Sequence, residues 1–528
     1  MYPRATRLAA AAALALLLAP WQGAPLGAKE FRWASTTDPQ TLDPHAVNSA
    51  PVLGFLNNVY EGLVRRGRDM KIEGALAERW EPLGDDGWRF HLRRGVTFHD
   101  GSAFTAEDVL FSYERASAEE ADVRSWFAPV REVRMVDGFT VDFLTKAPNP
   151  IFPDSIANFM IMDKDWSEAN GTARTSTQAE TFATLNANGT GAFRVAERSP
   201  GVRTVLEPYA GWWGAVEHNV TRAVFTPITQ QATAVAALIS GEVDFINPVP
   251  LQDVPRLEGA PGVKVMQGIE ARVIMLGFAH QAAALKFSDE TGDANPFQDP
   301  RVRKAVYQAI DVETLIKKVM RGNAAPASLL VSPAMRGYSP GLAAREAFDP
   351  AASRAQLAAA GYPDGFSFGL ACPNDRYIND ASICTAVAAM LAKVGLTVKL
   401  NTMPVRQYWP ELRAGQFDMY MLGWSPGTFD AEHPIRFLLA TPNKEKKLGS
   451  WNFGGFSDSQ VDDLLPKIQR EIDPSARQQM LDEVHGRLQQ EVAYVPLYVQ
   501  PLVWGMKQNI EVTQRADNFF ILRWVTVN

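Results

Sequence analysis

Five residues offer the one lead toward covalent catalysis. Gly423-Trp424-Ser425-Pro426-Gly427 has the G-x-S-x-G spacing of a nucleophile elbow and follows the apolar run Met419–Leu422. An elbow serine needs the backbone N–H of the next residue for its oxyanion hole, and a helix directly behind it. Pro426 has no N–H to give, and Pro426-Gly427-Thr428 reads as a turn. A secreted hydrolase using Ser425 therefore stands as the alternative that the chemistry disfavours. The seven histidines show no metal-ligand spacing: His91 falls in a strand pattern and His99 in a turn, and neither has a partner of ligand type four residues on. No catalytic residue, metal or cofactor is expected.

A binding group is easier to find. Asn374-Asp375-Arg376-Tyr377 lies between a strand-like run, Phe366–Ala371, and a helix carrying Ala386–Lys393. Ligands of open α/β sheets gather at the carboxyl ends of strands. Arginine is the natural bidentate clamp for a carboxylate or phosphate. Arg376 is thus a candidate anion clamp, with a structural ion pair to Asp375 or Asp380 as the other reading. Lys444-Glu445-Lys446-Lys447 reads as a solvated loop rather than an anion site.

The elements that must hold these groups follow from length and pattern. A chain of 528 residues is too long for one core, so two or more lobes are expected. Helical and strand-like segments alternate throughout, which predicts an α/β class. Asp299-Pro300, Asp349-Pro350 and Asp473-Pro474 each place Asp at an N-cap and Pro at N1 of a helix. Trp88, Phe90 and Leu92 alternate with charged residues, as in a half-buried strand. Thr105 with Asp108 resembles a capping box, and Phe104 is placed to staple onto Val109. The polar stretch Ser288–Asn295 is the natural boundary between two lobes.

The N-terminus is a targeting segment. Arg4 and Arg7 precede the apolar run Leu8–Ala19, which is too short to span a bilayer. Cleavage is expected after Ala28, with no lipid anchor because no cysteine lies nearby, and the mature protein in the periplasm. Removing residues 1–28 takes away two arginines and no acid, which moves the formal charge from −7 to −9. That balance argues against nucleic acid as a partner. In an oxidising compartment the only two cysteines, Cys372 and Cys384, predict a disulfide, with two buried free thiols as the alternative.

The stretch Arg93–Arg115, of the form RxGVxFHDGxxxTAEDVxFSYxR, resembles the signature of the dipeptide- and oligopeptide-binding proteins of bacterial ABC importers (family 5). Further blocks are similar: Leu42-Asp43-Pro44, Tyr60–Val64, Gly189–Phe193, Gly241–Asp244, Asp299–Asp311, Ala360–Pro363 and Gly423-Trp424. The resemblance implies a two-lobed periplasmic-binding-protein fold with a ligand cleft between the lobes. The expected layout is a first lobe over 29–290 with an extra subdomain near 75–205, a second lobe over 291–494, and a return to the first lobe over 495–528. It implies a monomeric solute-binding protein that closes on a small ligand (a peptide, opine or sugar conjugate) and delivers it to an inner-membrane ABC permease. A periplasmic sensor or chaperone on the same fold is a further reading. Trp424 is expected as a pocket wall, Asp430 as a cation or hydroxyl partner, and Trp409 and Tyr377 as aromatic lining; His433 is the one histidine near the expected cleft. Peptide-binding relatives carry an aspartate four residues after the Gly of the GW block, facing the ligand's α-ammonium. Here that position is Gly427. A buried ammonium without a carboxylate is costly, so the resemblance points away from simple dipeptides.

Overall fold

A computed structural model describes residues 29–176 and 179–528; the expected signal segment lies outside them. Within the described residues no helix is long and apolar enough to cross a membrane.

Two long strands organise the molecule. Val263–Phe278 and Tyr494–Lys507 pair antiparallel, with a register shift between Ile269 and Val273. Below the shift, Val263–Ile269 faces Pro501–Lys507. There the sheet continues through Phe245–Asn247 and Glu30–Ser35 to Arg222–Pro227, forming the first lobe. Above the shift, Val273–Gly277 faces Tyr494–Val499. There the sheet continues through Met419–Trp424 and Phe366–Pro373 to Leu396–Met403, forming the second lobe. The chain thus crosses between lobes near 270–272 and crosses back near Gln500.

The expected boundary at Ser288–Asn295 is displaced from this crossing. That segment packs on the second lobe, where Glu290 accepts the Ser367 N–H at 2.8 Å and Lys399 pairs with Asp289. Its polarity marks exposure, whereas the crossing is made within one continuous strand, at the register shift between Ile269 and Val273. The extra subdomain is also shorter than 75–205. Its four-stranded sheet comprises Ala77–Pro82, Gly87–Leu92, Val130–Asp137 and Thr140–Thr145. Phe193–Ser199 and Arg203–Pro208 instead extend the main sheet beside Arg222–Pro227.

Local signals act as read. Asp299, Asp349 and Asp473 each accept a backbone N–H at the start of their helices, at 2.8, 2.9 and 2.7 Å. The capping box forms, with Asp108 accepting the Thr105 N–H at 2.8 Å. Phe104 and Val109 share the subdomain core with Phe90 and Leu92. Gly189 is required by close approach: a Cβ there would lie 2.1 Å from the Val59 carbonyl oxygen.

Cys372 is the last residue but one of its strand and Cys384 lies in the helix Asp380–Ala392; the two are bonded, with Cα atoms 6.7 Å apart. The bridge closes the loop that carries Arg376. Closing a loop of this size contributes about 3 kcal/mol. Thiol titration of the denatured, unreduced protein is expected to find essentially no free thiol; two reactive thiols would contradict it.

Candidate functional site

Strand direction locates the cleft. Phe366–Pro373 runs parallel to Leu396–Met403 and Met419–Trp424. Trp424 pairs with Val273, beside the crossing, so these carboxyl ends face the hinge. In the first lobe Glu30–Ser35 runs parallel to Arg222–Pro227 and Phe245–Asn247, and Ile246 pairs with Gly505 on the way from Lys507 toward the hinge. The carboxyl ends of parallel strands in both lobes therefore converge on the hinge, where open α/β sheets hold ligands.

The second-lobe wall is aromatic. Trp424 is half-buried and lies 5.6 Å from Trp451, 5.5 Å from His433 and 6.0 Å from Phe437, ring centre to ring centre. Trp409 joins through Trp451 at 5.4 Å. Trp424 and Trp409 therefore belong to one surface, and it includes Trp451 and Phe437, which sequence reasoning missed. Their spacing along the chain gave no sign, because a strand end, two helical segments and a loop bring them together.

This wall carries unused polar groups. Trp424 Nε1, His433 Nδ1 and Arg436 Nε are buried and have no hydrogen-bond partner in the protein. Buried polar groups are almost always paired, so three in one cluster mark a place where something else completes them. Burial, reinforced by the neighbouring Arg436, pushes the His433 pKa down to about 4, so the ring is neutral at pH 7. Arg436 lies over Phe437 at 5.2 Å, and Arg413 lies over Trp451 at 5.9 Å.

Arg376 is exposed at the mouth of this region, over the Tyr377 ring at 5.4 Å. Neither alternative ion pair forms. Asp380 accepts the backbone N–H groups of Arg376, Tyr377 and Ala381, and Asp375 accepts that of Val405. The guanidinium remains available.

Two expected site residues are committed elsewhere. Asp430 is 0 % exposed. Both its oxygens receive Arg477, at 2.7 and 2.9 Å, and Oδ1 also accepts the Glu432 N–H at 2.8 Å. A carboxylate so engaged cannot meet a ligand's cation. Tyr377 is 7 % exposed, and its hydroxyl accepts the Gly423 N–H at 2.9 Å. Burial raises the pKa of that hydroxyl. The ring lies on Gly423, where a Cβ would stand 2.5 Å from Tyr377 Cε1. Tyr377 thus fastens the Arg376 loop to the Trp424 strand rather than lining a pocket.

Ser425 is followed by a turn, as the sequence indicated, with no helix behind it. Among the described residues no cluster of three or more metal-ligating side chains forms. The turn after Ser425 reaches the first lobe: Arg66 Nη2 donates to the Thr428 carbonyl at 2.7 Å, and Arg336 Nη1 donates to Asp154 at 3.3 Å.

Two lobes joined by paired crossing strands, with a donor-lined wall beside the hinge, define a solute-binding protein that closes on its ligand. Residues 71–446 match the family model for bacterial extracellular solute-binding proteins, family 5, and the chain belongs to that family. It is 26% identical over 501 residues to the glutathione-binding protein GsiB of Salmonella choleraesuis, covering 92% of each chain. Its fold matches the periplasmic binding protein DppA of Helicobacter pylori in complex with the peptide STSA (TM-score 0.71, 23% identity, 94% and 98% covered). It also matches AgaA of A. tumefaciens R10 in complex with agropinic acid (TM-score 0.70, 22% identity, 94% and 99% covered). The protein is a solute-binding component of an ABC importer, not an enzyme: it captures a small ligand and hands it to a permease.

Proposed function

We propose that the protein works in the periplasm as a monomer and captures an anionic small solute rather than a simple dipeptide. The observation that carries this reading is the one-sided chemistry of the wall. It offers donors (Trp424 Nε1, Arg436 Nε, and His433 Nδ1 in one tautomer) and an available Arg376, while the acids beside it, Asp430 and Glu432, are buried and engaged by Arg477 and Gln469. Such a surface suits carboxylate, phosphate or hydroxyl oxygens and leaves an α-ammonium unmatched. The relative in complex with agropinic acid supports this class, and glutathione, bound by another relative, is anionic overall although it carries an α-ammonium; an opine or a sugar conjugate fits the same description. Arg376 meets the anion as the lobes close about 270–272 and Gln500.

Titration calorimetry with agropinic acid, glutathione and dialanine tests the reading. The first two are expected to bind more tightly than dialanine. Arg376→Ala should weaken the anionic ligands by about 2–5 kcal/mol if closure desolvates the clamp. A Cβ at Gly427 would meet nothing within 4 Å, so Gly427→Asp can be made without a clash and should improve dialanine binding. Tight dialanine binding by the unaltered protein, insensitive to Arg376→Ala, would refute the proposal.

A further inference from the structure

Arg523 sits in the single turn Leu522–Trp524 near the C-terminus and is 7 % exposed. Among the described residues its guanidinium forms no hydrogen bond or ion pair, and its Nη2 is buried without a partner. Burial, with Arg65 close by, pushes its pKa down to about 9, so it remains a cation at pH 7.

Its neighbours have no acceptor to spare. Arg65 takes Glu73 at 2.8 Å and Glu61 at 3.3 Å. Glu61 also accepts Trp213 Nε1 at 2.7 Å, Thr190 Oγ1 at 3.1 Å and Trp212 Nε1 at 3.3 Å. Arg68 takes Glu217 at 2.7 Å, and Arg515 takes Asp517. Three guanidinium groups surround one indole: Arg523, Arg68 and Arg515 lie 4.5, 5.1 and 5.6 Å from the Trp524 ring centre. Each of the others has its own acid, and only Arg523 lacks one. Stacking on an indole does not replace the hydrogen bonds a guanidinium gives up on leaving water. Glu61 and Glu73 attract Arg523 from beyond Arg65, but neither hydrogen-bonds it, so a buried guanidinium nitrogen is left for an acceptor from outside, as in an anion site rather than a structural ion pair.

We propose that Arg523 is the centre of an oxyanion site on the first lobe, separate from the second-lobe wall. It would bind a carboxylate, sulfate or phosphate group against the Trp524 face. Arg523 supplies the planar donor fork. Arg68, half-exposed, supplies the approach from solvent. The site goes beyond the cleft reading and does not depend on it.

The test is thermal unfolding of the whole protein in potassium phosphate, acetate or chloride at matched ionic strength. Phosphate strengthens folding non-specifically, so each variant serves as its own reference. The unaltered protein should show a saturable rise in melting temperature of about 2 °C or more above chloride, as expected for a ligand held by the folded state alone. The increment should vanish in Arg523→Met, which should itself melt no lower than the parent in chloride because an unpaired buried charge has been removed. A response to phosphate would identify an inorganic oxyanion, and one confined to acetate a carboxylate group. Arg523→Lys, which keeps charge but not the fork, should need several-fold more anion for the same shift. Equal responses in the parent, Arg523→Met and Arg523→Lys would overturn the proposal, as would a clearly lower melting temperature of Arg523→Met in chloride.

Discussion

Asp430→Ala is expected to lower the stability of the second lobe by about 3–5 kcal/mol, the cost of stripping one partner from a fully buried ion pair. Arg477 is 2 % exposed, and among the described residues its one other acceptor besides Asp430 is the Ile468 carbonyl, reached by Nε at 3.0 Å. Without the carboxylate, its two terminal nitrogens would be left charged and dry. The loss should be largely specific to the half-pair. Asp430→Asn with Arg477→Met removes both charges, keeps an acceptor for the Glu432 N–H, and should recover a substantial part of the stability. Urea unfolding followed by tryptophan emission would measure all three proteins. If Asp430→Ala unfolds like the parent but loses ligand affinity, Asp430 is a ligand group and the structural assignment fails. The same pair steadies the turn that reaches Arg66, so Asp430→Ala should also loosen the contact between the lobes.

The second large effect concerns Trp424. Trp424→Ala is expected to weaken the best anionic ligand of the panel by about 2–4 kcal/mol, the range of a central aromatic contact. Two losses combine. One is the flat surface shared with Trp451, Phe437 and His433; the other is the unpaired Nε1–H donor. Trp424→Phe separates them, since it keeps a ring and removes the donor. It should cost about 1–1.5 kcal/mol, the net worth of one hydrogen bond. Calorimetry is the appropriate readout, because both variants change the intrinsic fluorescence. Parent-like affinity in both variants would remove this wall from the ligand site.

Much of the fold was legible because its signals are local. An Asp-Pro pair caps a helix through atoms two or three residues away, so Asp299, Asp349 and Asp473 could be read directly. The alternation around Phe90 and the capping box at Thr105 are equally short-range. Twelve residues separate Cys372 from Cys384, and no other cysteine competes. The long string ending at Arg115 carried the family. The position of Trp424 at the end of an apolar strand was legible for the same reason, and its role in binding rests on the proposal.

The tertiary structure alone decided which charges are spent. Asp430 looked available for a ligand, but its partner Arg477 lies 47 residues away on the helix Pro474–Glu491. Tyr377 looked like pocket lining, but Gly423, 46 residues on, left room for its ring. The lobe crossing at 270–272 was hidden because one strand runs through both lobes and only its pairing register shifts there, while the visible polar segment was only a surface loop. Arg523 was one arginine among many until folding gave its neighbours their acids and left it none. A sequence states which side chains can pair; packing decides which do, because burial makes each pairing exclusive and leaves an unmatched group at a cost that water or a ligand must offset.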